Sequence, residues 1–465
     1  MNCFRLVKSV VLVLLIFGIV SCANTNRLTD SSSQQPEEKQ TDQSGKSESE
    51  SADLNPIEQS EESGKASDET EAAAAPADAE SGSTLTLLFA GDVMAHTVNY
   101  SRGNFAAIWS DIAPLVQACD LAFANIEAPV SDSIEWNTYP RFNMHSSYVE
   151  AAIDAGFNVF SLANNHTNDQ FLAGIKDTEK YFSGRSGIWA CGIKSDARES
   201  LTFQIIDKDD WRVLFVAYTE ILNALDYSKY IDYFPSDSES RRRLKNQLSE
   251  IARANPHDIF VVSVHTDEVE YDNSVSESHR QFFIELIEDC EVDVIWANHP
   301  HVIKAWEAVS LGRDPRREKS AFIMYANGNT ISGQRYAPSL SKPHENRDNT
   351  GDGLLMRLTF QKERVFADDF AYYESERVKL SCAEPFFVTT YVNPSGQFVV
   401  KLLDDDLLHC LRRADLMSWS DYLFERKRLI EQIFSEQIYQ LEVRFPNRTN
   451  LRNQSKTTKS ENEYN

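Results

Sequence analysis

Residues 156–170 read Gly-Phe-Asn-Val-Phe-Ser-Leu-Ala-Asn-Asn-His-Thr-Asn-Asp-Gln. The run 158–163 is short and nearly all apolar, as expected of a strand covered on both faces, and it empties into a polar loop. Upstream, Val149, Ala152 and Ile153 recur at helical spacing, with Ser147 as the expected cap and Gly156 as the stop. Downstream, Asp169 is the expected cap of a helix bearing Phe171, Leu172, Ile175 and Phe182, ended by Gly184. Helix, strand, loop and helix in succession predict an α/β fold.

The same grammar extends outward. Apolar runs at 85–90, 121–124, 213–218, 259–264, 292–297 and 322–325 read as further buried strands. Ser276 is placed to cap a helix with Phe282, Phe283, Leu286 and Ile287 on one face. Beyond about residue 333 the pattern changes. Residues 353–403 alternate as antiparallel strands do, and 414–443 predicts one long amphipathic helix.

The chemistry sits where these runs end. Phe89-Ala90 leads into Gly91-Asp92-Val93-Met94-Ala95-His96, and Phe123-Ala124 into Asn125-Ile126-Glu127. Leu162-Ala163 leads into Asn164-Asn165-His166, Val264 into His265-Thr266-Asp267, and Trp296-Ala297 into Asn298-His299-Pro300-His301. Open α/β sheets bind ligands outside the carboxyl ends of their strands. Parallel neighbours would therefore bring these Asp, Glu, Asn and His side chains to one edge. That donor mixture suits two divalent cations, Mn, Zn or Fe.

The ends of the chain are of another kind. Arg5 and Lys8 precede an apolar run from Val10 to Val20, then Ser21 and Cys22. This is the pattern of a secretory signal, too short for a comfortable membrane span. Ile19-Val20-Ser21-Cys22 resembles the bacterial lipobox, which implies acylation of Cys22 and an exported protein anchored to a membrane of the cell envelope. Residues 23–83 are acidic and polar, with few apolar residues, and read as a disordered tether. The final residues, 446–465, read as a polar tail. A formal net charge of −25 excludes nucleic acid as a partner. Cys119, Cys191, Cys290, Cys382 and Cys410 remain once Cys3 and Cys22 are set aside. Their odd number and wide spacing favour buried free thiols, with at most one disulfide among them.

Read in order, GDVMAH, ANIEAPV, GFNVFSLANNHTNDQ, VSVHTDEVEY, ANHPHV and YANGNT resemble the motifs of the CapA family of poly-γ-glutamate capsule proteins. The likeness covers residues 84–335, leaving 336–445 as a C-terminal extension of strands and a long helix. That family is similar to the calcineurin-type metallophosphatases, which implies a layered sheet fold with flanking helices. The resemblance also implies roles. Asp92 would hold one metal, Glu127 would bridge, and Asn165 would hold the second, with His265, His299 and His301 completing the shells. Asp92 and His166 would be the catalytic residues, His166 as acid or transition-state stabiliser. His96, Asn125, Asn164, Asp169 and Asn329 would face the substrate.

Three departures stand out. Met94 occupies the place of a phosphatase histidine. The family's His-Trp-Gly-x-Glu-Tyr becomes the longer His265-Thr266-Asp267-Glu268-Val269-Glu270-Tyr271, and its Gly-Asn-Phe becomes Gly328-Asn329-Thr330. The expectation is a metal-dependent hydrolase of a phosphoester or an amide-type polymer bond, linked to capsule or poly-γ-glutamate assembly. The alternative is a metal-bridged protein that holds an anionic polymer without cleaving it.

Overall fold

The computed structural model describes residues 82–311, 319–344, 347–366 and 374–446. The expected signal, the lipobox-like segment with Cys22, nearly all of the expected acidic tether and nearly all of the expected C-terminal tail lie outside the described residues.

Among the described residues fourteen strands form two sheets. They are β1 (Thr84–Val93), β2 (Leu121–Ile126), β3 (Val159–Ser161), β4 (Trp189–Cys191), β5 (Phe203–Lys208), β6 (Trp211–Thr219) and β7 (Ile259–His265). The rest are β8 (Val294–Asn298), β9 (Trp306–Leu311), β10 (Lys319–Met324), β11 (Asn329–Ile331), β12 (Asp352–Phe366), β13 (Glu374–Val392) and β14 (Phe398–Leu402). One sheet runs β14-β13-β12-β1-β2-β3-β4, with β11 paired to β1; the other runs β5-β6-β7-β8-β10-β9. Strands β1 to β4 are mutually parallel, as are β6, β7, β8 and β10. The antiparallel strands lie to the outside: β12, β13 and β14 beyond β1, and β5 and β9 at the edges of the second sheet.

The apolar runs are therefore not neighbours in a single sheet. They divide between two sheets that pack face to face, and helices cover the outer faces. Alternation along β1 shows the layering. Leu85, Leu87 and Phe89 enter the core between the sheets, where they join Phe215, Val261 and Trp296. Leu88 and Ala90 face the other way, towards Val149 and Ala152 of the helix Ser146–Asp154. Phe89 stacks on Phe123 at 4.5 Å, and Phe123 meets Phe215 and Trp296 edge-on. Trp296 Nε1 donates to the Ala90 carbonyl at 2.7 Å, tying β8 to β1 just before Gly91-Asp92. Burial of both sheet faces is the reason these strands read as continuous apolar runs.

Several local expectations change. The helix expected to be capped by Ser147 begins at Ser146, whose N–H is bonded by Asp132. Asp169 does not cap the helix Phe171–Phe182; Gln170 holds that place, because Asp169 bonds the Phe142 N–H and His166. Ser276 does cap Glu277–Cys290, accepting from the His279 N–H. The long helix expected over 414–443 is broken into Met417–Ile433 and Ser435–Arg444, and a further helix, Asp405–Arg413, precedes it. Cys191, Cys290 and Cys382 are buried, Cys119 is half-buried and Cys410 exposed, and no disulfide joins them among the described residues.

Strands β12, β13 and β14 widen the sheet that contains β1, and the helix Met417–Ile433 is fastened by a buried ion network. Asp352 sits between Arg335 at 2.7 Å and Arg426 at 2.7 Å, all three almost fully buried. Arg426 also donates to the Pro343 carbonyl and to Asn349, and the Tyr422 hydroxyl donates to Asp348. The turn 348–351 is thereby held, and its Thr350 carbonyl accepts from Asn329 at 2.8 Å. The C-terminal region thus reaches the edge where the motif loops meet.

Candidate metal centre

Strands of both sheets deliver the motif residues to one place. From the sheet containing β1, Asp92 leaves β1, Glu127 follows β2, Asn164-Asn165-His166 follow β3, and Asn329 begins β11. From the second sheet, His265 ends β7, and His299 and His301 follow β8. Asp92 and Asn329 lie side by side in the β1–β11 pairing. That close pairing needs glycine twice. A Cβ on Gly91 would lie 1.9 Å from the Gly328 carbonyl oxygen, and Gly328 itself has φ +66°. His299 (φ 107°) and His301 (φ 59°) also adopt left-handed backbone, strain of about 1–3 kcal/mol each. Pro300 between them limits relaxation.

Two donor groups converge there, and they share one carboxylate. Asp92, Glu127 and His301 form the first; Glu127, His265 and His299 form the second, all buried. Glu127 Oε1 lies 3.7 Å from His301 Nε2 and 3.8 Å from His265 Nε2. His301 Nδ1 is 3.2 Å from Asp92 Oδ2 and 3.1 Å from Asn329 Oδ1. His265 Nε2 is 2.9 Å from Asn165 Oδ1 and 3.1 Å from His299 Nδ1. Both Glu127 carboxylate oxygens are fully buried and have no hydrogen-bond partner among the described residues.

Electrostatics agree with a site built for cations. Burial, then repulsion by Asp92 and Glu270, pushes the Glu127 carboxyl well above its usual range. Burial and the neighbouring imidazoles hold His265 well below its usual range and bring His299 down to about 4. Neutral imidazoles are the ligand state that a divalent ion requires, and a cation beside Glu127 would take the place of the proton its raised carboxyl holds. The donor set fits such ions.

Residues 86–334 match the family model described as bacterial capsule synthesis protein PGA_cap, slightly over half of the chain. The chain belongs to the PGA_cap family. Its PGA_cap relatives include the PGA biosynthesis protein CapA of Bacillus subtilis strain 168, 25% identical over 287 residues, 58% of this chain and 70% of that protein. The capsule biosynthesis protein CapA of Bacillus anthracis is 25% identical over 273 residues, and the match spans 63% of its length and 56% of this chain. Among solved structures, a hypothetical protein from Thermus thermophilus overlaps at TM-score 0.37 with 16% identity, covering 64% of this chain and 99% of that one.

Within this PGA_cap domain the other sequence-predicted residues take distinct places. Asn125 donates to Asp92 at 2.8 Å and lies 3.3 Å from His265 Nδ1, so it braces two donors from behind. Asn164 donates to the Ile126 carbonyl at 2.8 Å and fixes the loop before Asn165. His166 Nδ1 is held 2.7 Å from Asp169, and the Phe142 ring packs edge-on against it. His96 meets the other side of Phe142, and its Nδ1 accepts from the Gly333 N–H. Burial, with His301, His166 and Arg347 nearby, lowers His96 to about 3. Asn329 is buried and linked to Gln334, Thr350 and His301, so it supports His301 and presents no free amide to the substrate side.

Sequence reading missed Phe142, Asn223 and Glu270. Asn223 reaches His166 at 3.2 Å from the loop after β6. That loop carries no motif, so its neighbourhood to His166 has no one-dimensional signal. Glu270 was visible in the longer His265–Tyr271 segment but only as a departure from the family pattern.

The altered loop has its own role. Asp267 turns away from the donors to His279 Nε2 at 3.2 Å, which Glu220 also approaches at 2.7 Å, and Glu268 takes His279 Nδ1 at 2.8 Å. Burial opposes protonation of His279, but these carboxylates outweigh it and push it up to about 11. Its stabilising contribution is full below about pH 6.5, the unfolded value, and is lost as pH rises towards 11. A urea-denaturation series from pH 6 to 10.5 should show a fall on the order of 2–3 kcal/mol that His279→Gln removes. An unchanged slope in the variant would place the pH dependence elsewhere.

Proposed function

We propose that this protein is a two-metal hydrolase of the cell envelope that acts on a phosphoester or amide-type bond in an anionic polymer during capsule assembly. The observation that carries the reading is Glu127: a fully buried carboxylate, unsatisfied at both oxygens, common to both histidine-containing groups. An unsatisfied buried carboxylate costs several kcal/mol, and cations on its two sides are the partners this donor set fits. Asp92, His301 and Glu127 would hold one ion; Glu127, His265, His299 and Asn165 would hold the other. Mn, Zn and Fe all suit this oxygen and nitrogen mixture. Such ions would supply Lewis acidity to a phosphoryl or carbonyl oxygen and a more acidic water.

The chain's own residues would do the rest. Asp169 orients the His166 ring through Nδ1, leaving Nε2 to hand a proton to the leaving atom or to bond the developing oxyanion. Phe142 locks that ring and His96 edge-on, which limits water around both. His166→Ala should retain the metals and lose about 10²–10⁴-fold in turnover on model phosphodiesters or polymer substrates. Turnover unchanged in the metal-replete variant would sink this assignment.

A second reading, retention of a polymer without cleavage, draws on the turned-away Asp267. Thr266 is also bonded back to the Asn298 carbonyl, so neither of the side chains that stand where the family has Trp-Gly walls the centre. On that reading His166→Ala leaves polymer affinity unchanged and the wild type shows no turnover with any loaded metal.

Attachment to the envelope is proposed from Cys22 and from the CapA names of the relatives. No helix among the described residues is long and apolar enough to cross a membrane. Full-length protein should partition into the detergent phase, and Cys22→Ala should move it to the aqueous phase; equal partitioning of the two would remove the anchor.

A further inference from the structure

On the helix-covered side of the second sheet, three side chains from three elements converge on one place. Glu220 follows β6, Asp267 lies in the altered loop after β7, and His279 stands in the first turn of the helix Glu277–Cys290. His279 Nε2 is 2.7 Å from Glu220 Oε2 and 3.2 Å from Asp267 Oδ1. One donor atom of each residue falls within 4.8 Å of the other two. None of the three belongs to the two groups that share Glu127.

Each donor is fixed from behind. His279 Nδ1 lies 2.8 Å from Glu268 Oε1 and 2.8 Å from Ser276 Oγ, which aims Nε2 at Glu220 and Asp267. A carboxylate behind the imidazole is the usual support of a metal-bound histidine. The second Asp267 oxygen accepts from the Ser236 hydroxyl, and the Glu220 N–H donates to the His265 carbonyl at 2.8 Å.

Two buried polar atoms at this place have no hydrogen bond among the described residues. Glu220 is 3% exposed, yet its Oε1 is unbonded, with the Arg241 guanidinium 3.9 Å away. The hydroxyl of Tyr218, two residues earlier and within the field of Glu220, is buried and unbonded as well. A proton on His279 Nε2 does not meet this demand. One N–H is divided between two carboxylate oxygens, and Glu220 Oε1 stays without a partner. A divalent ion among the three donors binds one atom of each and keeps a position open.

Charge leaves room for the ion. Glu220, Asp267 and Glu268 face two permanent cations, Arg241 and Lys304, the latter 2.8 Å from Glu268. In the ion-free chain the remaining negative charge is balanced by the His279 proton, and an ion takes that proton's place.

We propose that Glu220, Asp267 and His279 form a third divalent-metal site, selective for zinc, that fastens the altered loop to the end of β6 and to the helix Glu277–Cys290. The loop is the segment that runs one residue longer than the family pattern, so the site belongs to that departure. Two carboxylates and one imidazole suit zinc, with a fourth position for water. Zinc is favoured over manganese because the ion must displace a proton, and zinc binds such donors more tightly. Asp267 is exposed, which gives the ion its entry from solvent. The inference is independent of the two-metal reading above.

The test uses the full chain carrying Glu127→Gln, which empties the central positions, titrated with Zn²⁺ against a chromogenic zinc indicator. One Zn²⁺ per chain is expected. Adding Asp267→Asn or His279→Gln should weaken that uptake by more than ~100-fold, and adding Glu268→Gln by about 10–100-fold. Asp267→Asn changes an exposed residue and keeps the buried Glu220–His279 pair, so the variant stays folded, which a metal-free melt reads. Co²⁺ in place of Zn²⁺ should show the visible absorption of a four-coordinate site, and Asp267→Asn should remove it.

No Zn²⁺ uptake by Glu127→Gln, or uptake that both Asp267→Asn and Glu268→Gln leave unchanged, would overturn the site. A Glu127→Gln chain that still takes three ions, one of which Asp267→Asn removes, would support the site and overturn the centre built on Glu127 instead.

Discussion

Glu127→Gln is expected to abolish divalent-metal uptake at both positions and, at the same time, to raise the melting temperature of the metal-free protein. The two effects have one cause. Glu127 is the only residue common to both donor groups among the described residues. Its neutral amide would be a poor bridge, so affinity should fall by more than ~100-fold at each position. In the metal-free state the same carboxyl is buried and unsatisfied at both oxygens, and burial with Asp92 pushes it towards the neutral acid, so that ionising it costs stability. An amide, neutral at every pH, should stabilise the apo protein by about 1–3 kcal/mol at the alkaline pH where the wild-type carboxyl is forced to ionise. Metal analysis of purified wild type and variant, beside thermal melts with and without Mn²⁺, reads both. Wild type should gain stability on metal addition by mass action, and the variant should not. A variant that still binds two ions would remove Glu127 from the centre. A less stable apo variant would mean that the carboxylate has a structural partner.

Arg426→Met should be the most destabilising single change outside the core between the sheets. It leaves half of Asp352's ion pairing and removes the bonds to Pro343 and Asn349. Breaking one side of a buried ion network costs about 3–5 kcal/mol, because the remaining charge stays buried. Burial alone would raise the Asp352 carboxyl, but Arg335 and Arg426 hold it below the usual range. Its contribution is therefore present above about pH 4, the unfolded value, and is lost as pH falls through the folded value. In Arg426→Met the acid limb of stability should move to higher pH. Since the Thr350 carbonyl holds Asn329, and Asn329 meets His301, weaker metal binding should accompany the loss. Urea denaturation between pH 3 and 7 decides it, and a change below about 1 kcal/mol would show that the network is dispensable.

How far the molecule was legible depends on which forces are local. The strand runs were readable because both faces of each sheet are covered, which forces long apolar stretches such as 259–264. Gly156 ends its helix as read, at φ +113°. Asp169, by contrast, looks like a helix cap in one dimension, yet it serves Phe142 and His166 because those partners arrive from elsewhere in the chain. The break between Met417–Ile433 and Ser435–Arg444 lay inside a continuous amphipathic pattern. There Phe434 packs against Trp306 and Phe387.

By itself the sequence determined the α/β class, the family, and which residues could be donors, since each motif lies within a few residues of its own strand end. Only the tertiary structure decided that the donors come from two sheets, that Glu127 is shared, and that Asn125 and Asn329 stand behind the donors. It also brought in Asn223 and fastened the C-terminal helix to the turn beside Asn329. The division follows from range. Strand and helix periodicity are written in neighbouring residues, whereas a shared carboxylate is defined by contacts between residues more than a hundred positions apart, which only packing brings together.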